Sequence, residues 1–154
     1  MIRLILFLLI NFGALALGAF LMGGSPAENE WYQSLNQAPW TPPGWVFGAA
    51  WTTIMVCFSV FLWRASAPDQ KGGTMSLINV FLLQLVLNIG WNPVFFAWHR
   101  TGLALVIIAA LTILLFFWMM YGFKKFKGFG WLLVPYFLWL VIATSLNGYI
   151  VFNN

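Results

Sequence analysis

Charge is scarce in this sequence. Its 154 residues include seven Lys or Arg and three Asp or Glu, a charged share of 6%, against roughly 25% in soluble domains. So few charges cannot coat the surface of a water-soluble globule, which is about a quarter to a third charged. Cysteine is rarer still: Cys57 stands alone and excludes an internal disulfide. One histidine with three acids offers too few ligands for an ordinary metal site, so neither a metal nor a resident cofactor is expected. Ser34, Ser145 and Cys57 lack a neighbouring histidine and acid, which removes hydrolytic triads. What is abundant is apolar: 62% of the chain, with ten Trp and sixteen Phe. The solvent for most of this surface is lipid.

Apolar stretches run over residues 4–22, 45–63, 75–98, 103–123 and 129–152. Each is long enough to cross about 30 Å of hydrocarbon as a helix, which takes ~20 residues. The expected fold class is an all-α integral membrane protein, one domain over 1–154 built as a five-helix transmembrane bundle. The first stretch also reads as a signal peptide, because Arg3 precedes an apolar run containing Ala14, Ala16 and Gly18.

In a five-span bundle the N-terminus and the loops after the second and fourth spans share one side. That side carries Arg3, Arg64, Lys71, Lys124, Lys125 and Lys127; the other carries Arg100, Glu28 and Glu30. The bias places the N-terminus in the cytoplasm. It also assigns the net charge of +4 to the membrane surface rather than to nucleic acid. Lys124, Lys125 and Lys127 read as a topology anchor, with an anionic-lipid patch as the alternative. His99, at a span end, reads as an interfacial side chain, with haem ligation as the alternative.

The only long connection, residues 24–44, is built like a lid. Ser25, Pro26, Ala27 and Glu28 are spaced as N-cap, N1, N2 and N3 of a short helix. Trp31 and Leu35 then fall one turn apart beside Tyr32, and Pro39, Trp40, Thr41, Pro42 and Pro43 continue in a stiff extended form. On pattern alone this aromatic loop is either a cover for an apolar pocket or an interfacial belt.

The run Trp31-Tyr32-x-x-Leu35-x-x-x-Pro39-Trp40-x-Pro42-Pro43, followed by Phe47 and Trp51, resembles the signature of the TspO/MBR family of tryptophan-rich sensory proteins. Asn88-x-x-Trp91-x-Pro93-x-Phe95-Phe96 and Pro135-Tyr136-x-x-Trp139 through Ala143-Thr144-x-Leu146-Asn147 extend the resemblance over nearly the whole chain. It implies a multi-pass protein that binds porphyrins, especially protoporphyrin IX, commonly as a homodimer. Sterols are a further ligand class of the family. Its sterol pattern needs a basic residue after a tyrosine late in the last span, and Tyr149 here is followed only by Ile150, Val151, Phe152, Asn153 and Asn154. Cholesterol binding is therefore doubtful.

Helical spacing places Gln84, Asn88, Asn92 and Phe95 on one stripe of the third span with Trp91 adjoining, and amides in lipid should face the bundle interior. Asn88 reads either as an interhelical hydrogen bond or as a ligand contact, and the resemblance favours the latter. The other expected inner stripes are Asn11, Ala14 and Gly18; Phe47, Trp51, Met55 and Phe58; and Pro135, Trp139, Ala143 and Asn147. The fourth span offers only Thr112 and is expected to face lipid or a second subunit. Gly44 and Gly48 could seat a neighbouring helix or serve internal packing.

The candidate ligand-binding residues are Trp31, Tyr32, Trp40, Pro42, Phe47, Trp51, Asn88, Trp91, Phe95, Trp139 and Ala143, with Trp31, Tyr32 and Trp40 as roof. Flat aromatic walls suit planar rings. Three functions fit: porphyrin transport or sensing, light-dependent porphyrin degradation through Trp51 and Trp139, and a ligand-free structural partner. Residence in a bacterial inner membrane is expected, with an outer membrane as the alternative.

Overall fold

A computed structural model describes residues 1–68 and 74–154, and the side chains of 74–76 are not among those described. Asp69 and Lys71, counted above in the charge balance, lie outside the described residues. The elements in order are α1 (Ile2–Leu21), α2 (Glu30–Ser34), α3 (Gly44–Ala65), α4 (Thr74–Asn92) with a π-turn over Pro93–Ala97, α5 (Thr101–Phe126), a 3-10 segment (Lys127–Leu133) and α6 (Val134–Asn153).

Among the described residues, the apolar helical runs long enough to cross a membrane are α1, α3, Leu77–Ala97 and the 53-residue run Thr101–Asn153. At 1.5 Å per residue the last would extend ~80 Å if straight, far beyond one bilayer. Instead it doubles back at Lys127, where φ is +51° and ψ −123°, so that α5 and α6 form the most extensively packed helix pair. Thr112 and Thr144 join them through their hydroxyls at 3.0 Å.

Each boundary has a local cause. α1 ends at Met22, where Gly23 (φ +84°) and Gly24 (φ +122°) send their N–H groups back to Phe20 O and Ala19 O, each at 3.2 Å. This closure requires left-handed residues after the helix, which glycine adopts without strain. The third span does not run on as one α-helix to residue 98. Pro93 lacks an N–H, the helix widens, and Trp98 N–H reaches Pro93 O at 2.8 Å. The fifth span likewise begins in 3-10 geometry and becomes α-helical only at Val134, just before Pro135.

The loop differs from expectation in two places. Ser25–Glu28 form a turn and not the start of a helix: the Glu28 carboxylate accepts from Ser25 N–H (3.2 Å) and Ser25 Oγ–H (2.9 Å), which takes the serine hydroxyl away from the capping role. α2 starts later, capped by Asn29, whose Oδ1 accepts from Tyr32 N–H at 2.9 Å. Pro39 and Trp40 occupy the centre of a β-turn closed by Thr41 N–H to Ala38 O at 2.9 Å, so the proline run is extended only from Thr41 onward.

The two ends of the bundle are built differently. Toward the end where Arg3 donates to the backbone carbonyl of Ser66, the interior is solid. Phe58, Phe61, Leu62, Leu115, Leu133 and Tyr136 are fully enclosed, and Phe58 meets Trp118 and Tyr136 edge-on at 5.4 and 5.5 Å. The fourth span is central to this core. Ala104, Ile108, Leu111, Leu115, Trp118, Met119, Gly122 and Phe126 of α5 are buried, which corrects the expectation that this helix faces lipid or a second subunit. Leucine and isoleucine suit both core and acyl chains, so a scarcity of polar residues does not mark a helix as peripheral.

Candidate functional site: an aromatic cavity beneath the long loop

Above that solid core, toward the long loop, the helices part around a cavity of about 440 Å³. This falls within the ~300–1,000 Å³ range of small-molecule sites. Its floor follows from sequence position: the lowest residues facing it are Trp51 and Thr52 on α3, Asn88 on α4, Leu111 on α5 and Trp139 on α6. One turn further down stand Met55, Leu115 and Tyr136, at most 1% exposed. The cavity is a dead end and not a channel through the bundle.

Of the sequence-predicted site residues, Phe47, Trp51, Asn88, Trp91, Trp139 and Ala143 line this cavity. Phe47 meets Trp139 edge-on at 5.2 Å, and Trp51 meets Tyr136 at 5.9 Å, so the wall rings are themselves held by rings behind and beside them. Trp91 is fixed twice. Its ring stacks on Phe95 at 5.2 Å with a 20° tilt, and its Nε1–H donates to Asn147 Oδ1 at 3.1 Å. Asn147 in turn donates through Nδ2 to Thr101 O at 3.0 Å, so one amide ties α4, α5 and α6 together.

Asn88 differs from the other buried amides in that no atom of its side chain has a partner among the described residues, whereas Gln84 leaves only its Oε1 unpartnered. Asn11 donates to Ser59 Oγ at 2.8 Å and Gln84 to Tyr136 Oη at 2.8 Å, as amides in lipid should. The Asn88 side chain is 7% exposed, faces the cavity and makes no hydrogen bond among the described residues; only its backbone oxygen is used, by Asn92 Nδ2 at 3.0 Å. The interhelical hydrogen bond entertained for Asn88 belongs instead to its neighbours.

Trp31, Tyr32, Trp40, Pro42 and Phe95 are not brought to this cavity. Its nearest loop residues are Gly24, Ser25 and Pro26, so the small turn stands where the aromatic roof was expected. Trp31 lies flat against His99, with ring centroids 4.0 Å apart and a 14° tilt. Trp40 is 54% exposed, donates to Ser145 Oγ at 3.1 Å and meets Tyr149 edge-on. Phe95 is buried behind Trp91, between Trp31, Tyr32 and Phe96. Tyr32 and Pro42 line a separate, more polar hollow of about 560 Å³ together with Gln33, Gln37 and Thr41. The two hollows share Ser25, Pro26, Gly44 and Phe47 as their partition. Burial raises the Tyr32 phenol above its ordinary pKa, so it is a neutral hydroxyl there.

Sequence reasoning missed Ile108 and Leu111 of α5, and Leu15, Ala19 and Met22 of α1, all on the cavity wall. A signal existed only for α1, where Ala19 follows Gly18 on the small-residue side. Gly44 and Gly48, considered as a seat for another helix, face the cavity. No group of three or more His, Cys, Asp or Glu among the described residues could hold a metal.

A multi-pass helical membrane protein with a closed-ended, indole-walled cavity under its one long loop is the class this architecture defines. The sequence profile of the TspO/MBR family matches residues 5–152, and the chain belongs to that family. It is 35% identical over 121 residues to the tryptophan-rich sensory protein of Cereibacter sphaeroides, covering 77% of this chain and 73% of that one. It is 31% identical over 147 residues to the translocator protein of Bos taurus (86% and 80%), and 29% identical over 127 residues to the protein CrtK of Rhodobacter capsulatus (79% and 76%).

Proposed function

We propose that the protein binds flat hydrophobic molecules, protoporphyrin IX-like tetrapyrroles foremost, in this cavity and acts in their sensing or transport. The observation that carries the reading is Asn88, whose side-chain amide faces the cavity without a partner among the described residues, on a wall that also presents Phe47, Trp51, Trp91 and Trp139. A ligand donor or acceptor would satisfy this amide inside the cavity while the rings stack on the ligand's faces. The closed floor supports holding a ligand over conducting it through the bundle. Family membership and the names of the relatives support the same class of function. None of the residues Ile150, Val151, Phe152, Asn153 and Asn154 is basic, which weighs against cholesterol as the ligand.

In this reading the chain is a homodimer in a bacterial inner membrane, with the end bearing Arg3, Arg64 and Lys124 in the cytoplasm. The test is a dark titration of purified protein with protoporphyrin IX, followed by tryptophan emission. Saturable quenching that weakens in Asn88→Leu supports the cavity; unsaturable quenching, or none, removes it. Because Trp51 and Trp139 both line the cavity, porphyrin degradation in light is the second reading. Illumination separates the two: loss of the Soret band that slows in Trp51→Phe or Trp139→Phe indicates chemistry, and an unchanged band indicates binding alone.

A further inference from the structure

At the opposite end of the bundle from the cavity lies a second hollow, of about 600 Å³, with a different chemistry. Arg64 from the last turn of α3, Lys125 from the end of α5 and Lys127 from the 3-10 segment converge on it. The rest of its lining is apolar: Val60, Phe126, Phe129 and Leu132, with Gly128. Two of the three cations lie against rings, Arg64 Cζ 5.9 Å from the Phe129 centroid and Lys125 Nζ 5.4 Å from that of Tyr121, so both charges stand beside a greasy surface.

A topology anchor needs only positive charge near a span end; it needs neither a hollow nor a fixed backbone. Here the backbone is fixed at a cost. Lys127 holds φ +51° and ψ −123°, a region favouring glycine, while an actual glycine, Gly128, follows it. A strained non-glycine residue on the wall of a hollow points to use of its side chain. Trp131, 67% exposed on the same 3-10 segment, is the kind of residue that marks the headgroup level.

We propose that this hollow is a binding site for one anionic phospholipid of the adjoining leaflet, its headgroup phosphate held by Arg64, Lys125 and Lys127 and the start of its acyl chains laid on Phe129 and Leu132. Three cations from two separate parts of the chain complement one phosphate, and the apolar lining complements what is attached to it. The site is independent of the cavity beneath the loop and of any porphyrin.

The experiment places the full chain in nanodiscs of phosphatidylcholine doped with phosphatidylglycerol, extracts it gently and counts retained lipid by native mass spectrometry. Wild type is expected to retain phosphatidylglycerol saturably over phosphatidylcholine. Lys127→Gly removes the charge and also the strain, so it is expected to retain about fivefold less while melting no earlier than wild type. That pairing separates a lost site from a lost fold. Arg64→Gln should show a similar drop. Lys124→Gln makes the same charge change at a residue that does not line the hollow, and is expected to leave retention unchanged. Equal losses in all three variants, or equal retention of both lipids, would reduce the feature to diffuse surface charge and overturn the proposal. Displacement of the lipid by millimolar inorganic phosphate would overturn it in favour of a soluble anion.

Discussion

A Cβ atom built on Gly18 would stand 2.7 Å from Nδ2 of Asn92, so α1 and α4 approach each other over a glycine and an amide. Alanine at 18 gains up to about 1 kcal/mol of helix propensity and loses about 1–3 kcal/mol to overpacking. Gly18→Ala is therefore expected to lower the melting temperature in the native chain and to raise it in an Asn92→Ala background. A double-mutant cycle by thermal unfolding in detergent checks this, and additive effects would contradict the contact.

Asn88 should separate stability from binding. Asn88→Leu removes an unpartnered amide from a buried wall, so unfolding is expected to cost the same or about 1 kcal/mol more than in wild type. Porphyrin affinity is expected to fall roughly tenfold, the equivalent of about 1.4 kcal/mol. A variant that both unfolds earlier and binds normally would show that Asn88 is structural.

Asn147 should behave in the opposite way. Its amide accepts from Trp91 Nε1–H and donates to Thr101 O, so Asn147→Ala strands two half-buried partners. A loss of about 2–3 kcal/mol is expected, along with blue-shifted, broadened tryptophan emission as Trp91 loosens. Asn147→Asp keeps the acceptor for Trp91 but loses the donor to Thr101 O and buries a charge, so at pH 7 it is expected to destabilise at least as much as Asn147→Ala.

Glu28 gives the loop a pH dependence of definite sign. Hydrogen bonds from Ser25 Oγ–H and then from Ser25 N–H hold its carboxyl below the ordinary 4.5. A carboxylate whose pKa is depressed in the folded state adds stability that is complete above 4.5 and disappears as pH falls through the lowered value. The Ser25 amide resonance, followed by NMR, is expected to titrate with a midpoint below 4.5, and in Glu28→Gln to be flat over the same range. A midpoint at or above the ordinary value would break the assignment.

Much of this architecture is legible in the residues because lipid is a demanding solvent. Spans must be helical and about 20 residues long, and amides must turn inward. Asn11, Ala14 and Gly18 are accordingly the buried residues of α1, and Gln84 and Asn88 are buried together on α4. The inner face of α5 was hidden for the same reason. Ile108 and Leu111 look no different from Val106 and Ile113, which are exposed, because core and acyl chains favour the same side chains. The loop misled differently: Trp31 and Trp40 have the chemistry of a roof, but Trp31 is taken up by His99 and Trp40 by Ser145 and Tyr149. Such partners lie 68 to 109 positions away in the chain, beyond the reach of any local pattern.

The loop is fastened to the last helix. Trp40 reaches Ser145 across 105 positions, and Asn36 and Asn154 exchange two hydrogen bonds across 118. Trp139, Leu140 and Ala143 of that helix also complete the cavity wall. During biosynthesis, a nascent chain with only its earlier segments inserted presents an open cleft, with the Asn88 amide bare to acyl tails and the loop unmoored. The compartment is complete only once this final segment has docked.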